Sequence, residues 1–256
     1  MTTSNKDQSK SITTQRKPSK VSQVIEKFNQ FPRSNNVRAT NHQDIEIKIA
    51  KDQNLKEEAY RLIYQTYLEK GFTEKNASEM WYSVYDLLDE SIVVVAMDNN
   101  IVVGALTLIL DSEFGLPANE LYEKELSRIR ANNTLTEITS LGILKSARFS
   151  TTILVKLFNQ AYLYSKGSKN STHFIITVNP RHVMFYQKKL LFEKIGSVKY
   201  YDKVGGAPAE LLILDLDLVE KTILDRNISK SKTLYKQFIS VKEFKSSQLK
   251  HFEKIY

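Results

Sequence analysis

The chain has no cysteine and only four histidines, His42, His173, His182 and His251, among 256 residues. The first absence excludes a disulfide scaffold, a thiol nucleophile, a thiolate zinc site and an iron–sulfur cluster. No two histidines stand at ligand spacing, so no metal is expected beyond what carboxylates alone could hold. Glycine is scarce, at eight residues, and Gly104, Gly115 and Gly142 stand apart. Neither a dinucleotide GxGxxG nor a phosphate-loop GxxxxGK[ST] is formed, and no GxSxG supports a serine hydrolase. Long apolar runs are also missing. The longest, Ile101 to Leu110, is about half of what a helix needs to span a bilayer. The opening MTTSNKDQSKSITTQRKPSK lacks the apolar stretch of an export signal, so a cytoplasmic protein is expected.

What is present is a globular composition, 41% apolar and 10% aromatic, with a net charge of +8. That charge is unevenly placed. Residues 1–44 and 220–256 each carry +5, and the middle, 45–219, carries −2. Within the middle, 45–123 carries −9 and 124–203 carries +10. A basic second half suits an anionic partner, or is a solvated surface of uneven sign. Nucleic acid is not the expected partner, because basic and aromatic residues do not alternate and no recognition motif occurs.

Three parts are expected: a flexible basic segment over 1–42, an α/β domain over 43–219, and a basic, helical extension over 220–256. The domain opens with the alternating strand IEIKIA (45–50). Apolar residues at helical spacing predict a helix over 53–70, and a second is expected over 75–89. SIVVVAM and IVVGALTLIL, joined at Asp98-Asn99-Asn100, predict a hairpin. A short helix through NELYEKELSRIR precedes a strand over 134–144. The helix 150–166 should end at Gly167, before a strand over 173–178. Asn179 as cap and Pro180 as first helical residue open a helix to Leu191. FEKIGSVKYY and AELLILDLD close the domain as two strands. Hairpins followed by alternating helices and strands give a mixed sheet flanked by helices.

Three stretches carry a resemblance: GLPANELYEKELSRIRANNTLTEITSLGI (115–143), VNPRHVMFYQKKLLFEKIG (178–196) and VGGAPAELLILDLD (204–217). They resemble the FeeM-type N-acyl amino acid synthases, relatives of the LuxI-type acyl-homoserine lactone synthases. AYRLIYQTYLEKGF (59–72) is similar to the early helix of both groups. The resemblance covers roughly residues 45–218. It implies a GNAT-type N-acyltransferase fold, whose mixed, twisted sheet is mostly antiparallel. It also implies transfer of a long-chain acyl group from acyl carrier protein to the amine of an amino acid or similar small acceptor. The donor arm is then the carrier's phosphopantetheine, with coenzyme A as the alternative. One departure bears on this choice. Acetyltransferases of the fold cradle the coenzyme pyrophosphate in a glycine-rich turn, where this chain reads Leu144-Lys145-Ser146-Ala147-Arg148-Phe149-Ser150-Thr151. A carrier presents a single phosphodiester and needs less bare backbone there.

Amide formation from a thioester requires deprotonation of the amine, stabilisation of an oxyanion and protonation of the departing thiolate. Glu137 interrupts a strand that otherwise reads as core, and the resembling families carry a Glu at this place. General base and orienter of the amine are both open roles for it. Tyr186 matches the tyrosine that gives its proton to the thiolate in many enzymes of the fold, or it packs its helix on the sheet. Arg61 matches an arginine of the synthases suited to an acceptor carboxylate, and otherwise pairs with Glu57 or Glu58. Asn179 and His182 are further substrate-binding candidates. Asp86 and Asp89 resemble acidic positions before the first hairpin in the LuxI type, and are otherwise, and preferably, a solvated helix end. Tyr60, Tyr64 and Tyr67 form a stripe that either walls a cleft or packs. Lys145, Arg148, Arg181 and Lys188 are candidates for docking an acidic carrier. In the C-terminal extension, Leu234, Phe238, Val241, Phe252 and Ile255 lie among lysines, a pattern for peripheral membrane contact or for packing on the core. A non-catalytic binding module for an acidic partner is the reading from outside enzymology.

Overall fold

The computed structural model describes residues 45–147, 150–225 and 227–252. The expected segment 1–42 lies outside them, and so do Arg148 and Ile255. The order is β1 (Glu46–Ile49), α1 (Gln53–Glu69), β2 (Ser91–Asp98), β3 (Ile101–Leu110), α2 (Asn119–Arg130), β4 (Leu135–Ile143), α3 (Ser150–Lys169), β5 (His173–Val178), α4 (Pro180–Leu190), β6 (Glu193–Lys194), β7 (Lys199–Tyr201), β8 (Ala207–Asp215), α5 (Leu216–Leu224) and α6 (Val241–Phe252). The strands form a mixed sheet in the order β1-β2-β3-β4-β5-β8-β6, with β7 also on β8. Every pairing is antiparallel except that of β4 with β5. This is the α/β architecture expected from the sequence.

Strand alternation sends neighbouring side chains to opposite faces. Val94, Ala96, Leu106, Leu108, Ile138, Phe174 and Leu212 meet α3, α4 and the segment after β8 on one face. On the other, Val93, Val95 and Ala105 receive Ala59, Leu62 and Ile63 of α1, while Ile109, Leu135, Ile175 and Leu211 receive Tyr122 and Leu126 of α2. Two glycines set the approach of the helices. A Cβ at Gly142 would stand 3.0 Å from Leu62 Cδ2, and one at Gly104 would stand 2.8 Å from Ile153 Cγ2.

The β2–β3 turn behaves as its sequence dictates: Asn99 and Asn100 have φ of 48° and 64°, the left-handed pair of a two-residue hairpin. Three expectations are corrected. Residues 75–89 are not a helix; only Tyr85–Leu87 make a 3-10 turn. Local side-chain bonds compete there with helical ones. Asn76 Nδ2 donates to Met80 O, Ser78 Oγ accepts from Met80 N, and Glu79 has φ of 52°. Helix α3 runs through Gly167 to Lys169, and Asn170, at φ 54°, takes the left-handed position after it. FEKIGSVKYY is two strands, because Ile195 N and Gly196 N both donate to Leu211 O. That bulge accommodates the ring of Tyr122, whose hydroxyl donates toward Ser197 O and Ala209 O at 2.8 and 2.7 Å.

Beyond β8 the chain folds back over the first face. Leu234, Tyr235 and Phe238 are buried in that core. Tyr235 Oη donates to Leu190 O at 2.5 Å. Asn159 of α3 grips the backbone of Ile239 on both sides, accepting from its N–H at 3.1 Å and donating to its carbonyl at 3.3 Å. Ser240 and Glu243 then form a reciprocal capping box for α6. Leu234 and Phe238 therefore face the core. No helix of the described residues is long and apolar enough to cross a membrane.

A Cβ at Gly196 would stand 2.7 Å from Tyr122 Cε1 and 2.8 Å from Leu211 Cβ, with a rigid ring on one side. Gly196→Ala is expected to destabilise the fold by about 1–3 kcal/mol, the usual penalty of overpacking. A lowered urea midpoint with unchanged slope would register it.

Candidate active site

The centre of the sheet is not closed. β4 and β5 pair only at Leu135↔His173, Thr136↔Phe174 and Glu137↔Ile175. Beyond that point β4 continues along β3 to Ile143, and β5 continues along β8 to Val178. Between Thr139 and Gly142 the register of β4 against β3 slips, so that Ser140 and Leu141 oppose Leu106 alone. Ser140 adopts φ of 54°, which a non-glycine residue takes up only under constraint. Such a bulge bends its strand and leaves a residue outside the ladder.

Glu137 occupies the last paired position before the strands part. It is only 3% exposed. Its Oε2 accepts the N–H of Ala118, the residue before α2, at 2.8 Å. The carboxylate thus binds the start of a helix, where the dipole favours negative charge. Nearby, Tyr201 Oη of β7 donates to Glu120 Oε2 in the first turn of α2 at 3.4 Å. Burial, then Glu120, Glu137 and Tyr85, push the Tyr201 hydroxyl up, so it stays protonated at neutral pH.

Tyr186, on α4, packs edge-on against Phe185 and Phe192 and tilts against Phe158. Burial pushes its hydroxyl up to about 12. Tyr67, on the opposite face, is pushed up by burial and further by Tyr186 and Asp86. Its ring packs against Phe72 and Trp81.

The sequence matches the family model of the N-acyl amino acid synthase FeeM over residues 58–215. The chain belongs to the FeeM family. It is an acyltransferase whose reaction passes an acyl group to an amine. Its fold is that of FeeM from uncultured soil microbes, at a TM-score of 0.61 and 22% identity over 70% of this chain and 93% of that one. The acyl-homoserine lactone synthase LasI follows, at 0.51 and 16% over 68% and 91%. The coenzyme A-dependent synthase BjaI, solved with SAM and isopentyl-CoA, gives 0.50 and 13% over 69% and 87%. No curated protein sequence matches the chain.

In this FeeM-family chain the candidate residues fall into separate groups. Glu137 stands with Tyr201 and the start of α2. Asn179, Arg181, His182 and Tyr186 all ride on α4 or its cap. Asn179 Oδ1 accepts the N–H of Arg181 at 3.2 Å, so it is a helix cap. Arg181 Nε donates to His182 Nε2 at 3.1 Å, and its guanidinium lies 5.3 Å from the Phe72 ring centre. Burial, Arg181 and Lys70 lower the His182 pKa, keeping that imidazole neutral. Arg61 is engaged elsewhere: it donates to Ser78 O at 3.3 Å and pairs with Glu57 at 3.6 Å, fastening α1 to the loop after it. Lys145 and Lys188 are exposed. Tyr60 and Tyr64 are buried packing residues, Tyr64 accepting the N–H of Asn76. Two surface hollows, of about 380 and 410 Å³, lie around Lys166 and Asp217 and around His173 and Asp215. Neither includes a residue of the Glu137 group.

Two residues were not legible as they stand. Tyr201 reaches Glu137 only through the pairing of β7 with β8. Asp86, expected at a solvated end, is 4% exposed. Its Oδ2 accepts both the N–H and the hydroxyl of Ser83 at 2.7 Å. Its Oδ1 and Thr107 Oγ1 form no hydrogen bond of normal geometry, although Thr107 stands close enough to help lower the Asp86 pKa. The apolar flanks of Tyr85-Asp86-Leu87-Leu88 were the available signal of its burial.

Burial raises the Asp86 pKa more than its hydrogen bonds lower it. The folded carboxyl is thus a weaker acid than the unfolded one. Its contribution to stability is full below the unfolded carboxylate range and is lost as pH rises through the folded pKa. Asp86→Asn keeps the Ser83 contacts and turns a donor toward Thr107. The variant should be more stable than the parent near pH 7 by about 1 kcal/mol, with a gain that shrinks in acid. Urea midpoints from pH 3 to 8 measure this directly.

Proposed function

We propose that this acyltransferase moves a long-chain fatty acyl group from the phosphopantetheine arm of acyl carrier protein to the amine of an amino acid or similar small acceptor. The observation that carries this reading is the buried Glu137 carboxylate at the point where β4 and β5 part. Its carboxylate, whose Oε2 accepts the Ala118 N–H, is the group assigned to take the proton from the acceptor ammonium. The amine attacks the thioester carbonyl, and the negative charge moves to its oxygen. A backbone N–H of the β4 bulge is the donor assigned to that oxyanion. Collapse breaks the carbon–sulfur bond, the thiolate takes a proton from Tyr186, and the second proton of the attacking nitrogen returns to the tyrosinate. A phenol held protonated to about 12 by burial suits that step.

The carrier as donor is supported by the outer face of α4. Arg181 and Lys188 flank Met184 and Phe185, which are 54% and 38% exposed. Cations around an apolar patch suit an acidic helix. The gap between the separated strands is the place assigned to the acyl chain. Coenzyme A as donor is favoured by one likeness, that of BjaI, and is therefore an arm of the test.

Thiol release is measured with the same long acyl chain on acyl carrier protein and on coenzyme A, against a pool of amino acids, with mass spectrometry of the products. An acyl-amino acid formed from the carrier is expected. Turnover with coenzyme A alone would replace the carrier in this reading. Silence with both donors, despite carrier binding, would favour a binding module.

Two variants sharpen the outcome. Glu137→Gln retains an acceptor for Ala118 N–H, and should lower kcat about 10²–10⁴-fold with little change in carrier affinity. Turnover at the parental rate would remove Glu137 from the mechanism. Arg181→Glu with Lys188→Glu should raise KM for the acyl carrier about tenfold or more at low salt, and far less for acyl-coenzyme A.

A further inference from the structure

The chain continues past residue 215, where the family match ends, through α5 and then back over the first face of the sheet. Within that return segment, Leu234–Gln237 make a 3-10 turn that lays Tyr235 against the end of α4. Tyr235 is 1% exposed, and its ring packs edge-on to Phe238 at 4.9 Å between centres. Burying a phenol is costly unless its hydroxyl finds a partner. Here the partner is the carbonyl of Leu190, the last residue of α4, at 2.5 Å. A carbonyl in the last turn of a helix has no partner inside the helix, so the bond serves both groups. Lys189 Nζ makes a second tie, donating to Lys232 O at 3.1 Å.

What this end of α4 holds is Tyr186. Leu191 follows at φ 58°, a left-handed conformation that leucine takes up only where its surroundings enforce it. Glycine is the usual residue at such a helix end. The turn lets Leu191 N donate to Gln187 O at 3.1 Å and Phe192 N to Tyr186 O at 3.2 Å. It also sets the Phe192 ring edge-on to the Tyr186 ring, at 5.7 Å between centres. Backbone and ring of Tyr186 thus both depend on this closure, and Tyr235 grips the carbonyl immediately before it.

We infer that Tyr235 is a positioning residue for acyl transfer: its hydroxyl on Leu190 O, with Lys189 as the second tie, locks the end of α4 and so fixes the Tyr186 side chain. The inference rests on Tyr186 being the proton donor of the proposed reaction. A displaced donor slows the step it serves without weakening the binding of either substrate.

The test uses the full chain and two readouts. One is hydrogen exchange of the Phe192 amide by NMR. The other is kcat and KM for acylation of the amine. Tyr235→Phe keeps the ring and removes only the hydroxyl. The Phe192 amide should then exchange about tenfold faster or more, with the amides of β2 and β3 unchanged. The kcat should fall about tenfold, with KM for donor and acceptor held within about twofold. In a Tyr186→Phe background the same substitution should lower kcat no further, because the group being positioned is gone. A tyrosine that only stabilises the fold would cost both backgrounds alike. Unmoved exchange at Phe192, or equal losses of kcat in both backgrounds, would overturn the inference. Should Tyr235→Phe fold poorly, Lys189→Met cuts the second tie at the surface, and parental exchange and kcat in that variant count against the lock. Tyr186→Phe at the parental kcat would remove Tyr186 from the mechanism, and the inference with it. Faster Phe192 exchange in a chain that acylates no amine would sink the acyl-transfer reading and leave Tyr235 as the lock of α4.

Discussion

A carboxylate inside a sheet must be compensated, and the arrangement around Glu137 is organised by that requirement. Removing a charge from water costs several kcal/mol unless hydrogen bonds and favourable dipoles replace the lost hydration. The N–H of Ala118 and the start of α2 supply part of the replacement. For α2 to stand there, its Tyr122 must be anchored to the bend between β6 and β7 and to β8, and Gly196 must leave room for the ring. The position of one acid thus fixes the approach of a helix and the division of what would otherwise be one strand.

The second constraint is the short parallel pairing of β4 and β5. Three residue pairs hold the strands together, and the Ser140 bulge then turns β4 away. A sheet interrupted in this manner exposes backbone and side chains of both strands to one gap. Acyl transfer to an amine is favoured where water is kept out.

Much of this was legible in sequence, because it depends on local chemistry. The Asn99-Asn100 turn, the Asn179-Pro180 helix start and the alternation around Glu137 each announce themselves within a few residues. The segment 75–89 does not. Its aromatic and apolar residues have helical spacing, but Asn76, Ser78 and Ser83 bind the backbone and Asp86 instead. Arg61 was open between an acceptor clamp and a pairing with Glu57 or Glu58, and it stands against Glu57 and Ser78. Tyr201 was invisible for a different reason. Its neighbourhood is set by β7–β8 register and by Tyr122, both long-range, and no local pattern encodes them. Asp86 was misjudged because a charged residue in a loop is ordinarily solvated.

The closing segment has a bearing on how the protein is made. Strand β8 completes the sheet at Asp215, yet Tyr235 and Phe238 still have to enter the core beside α3 and α4. Asn159 waits for the backbone of Ile239. A nascent chain halted after β8 would hold a full sheet with an open apolar seam. Folding on the ribosome therefore finishes only when the last of these residues has emerged. Until then the seam is a surface for chaperones to recognise.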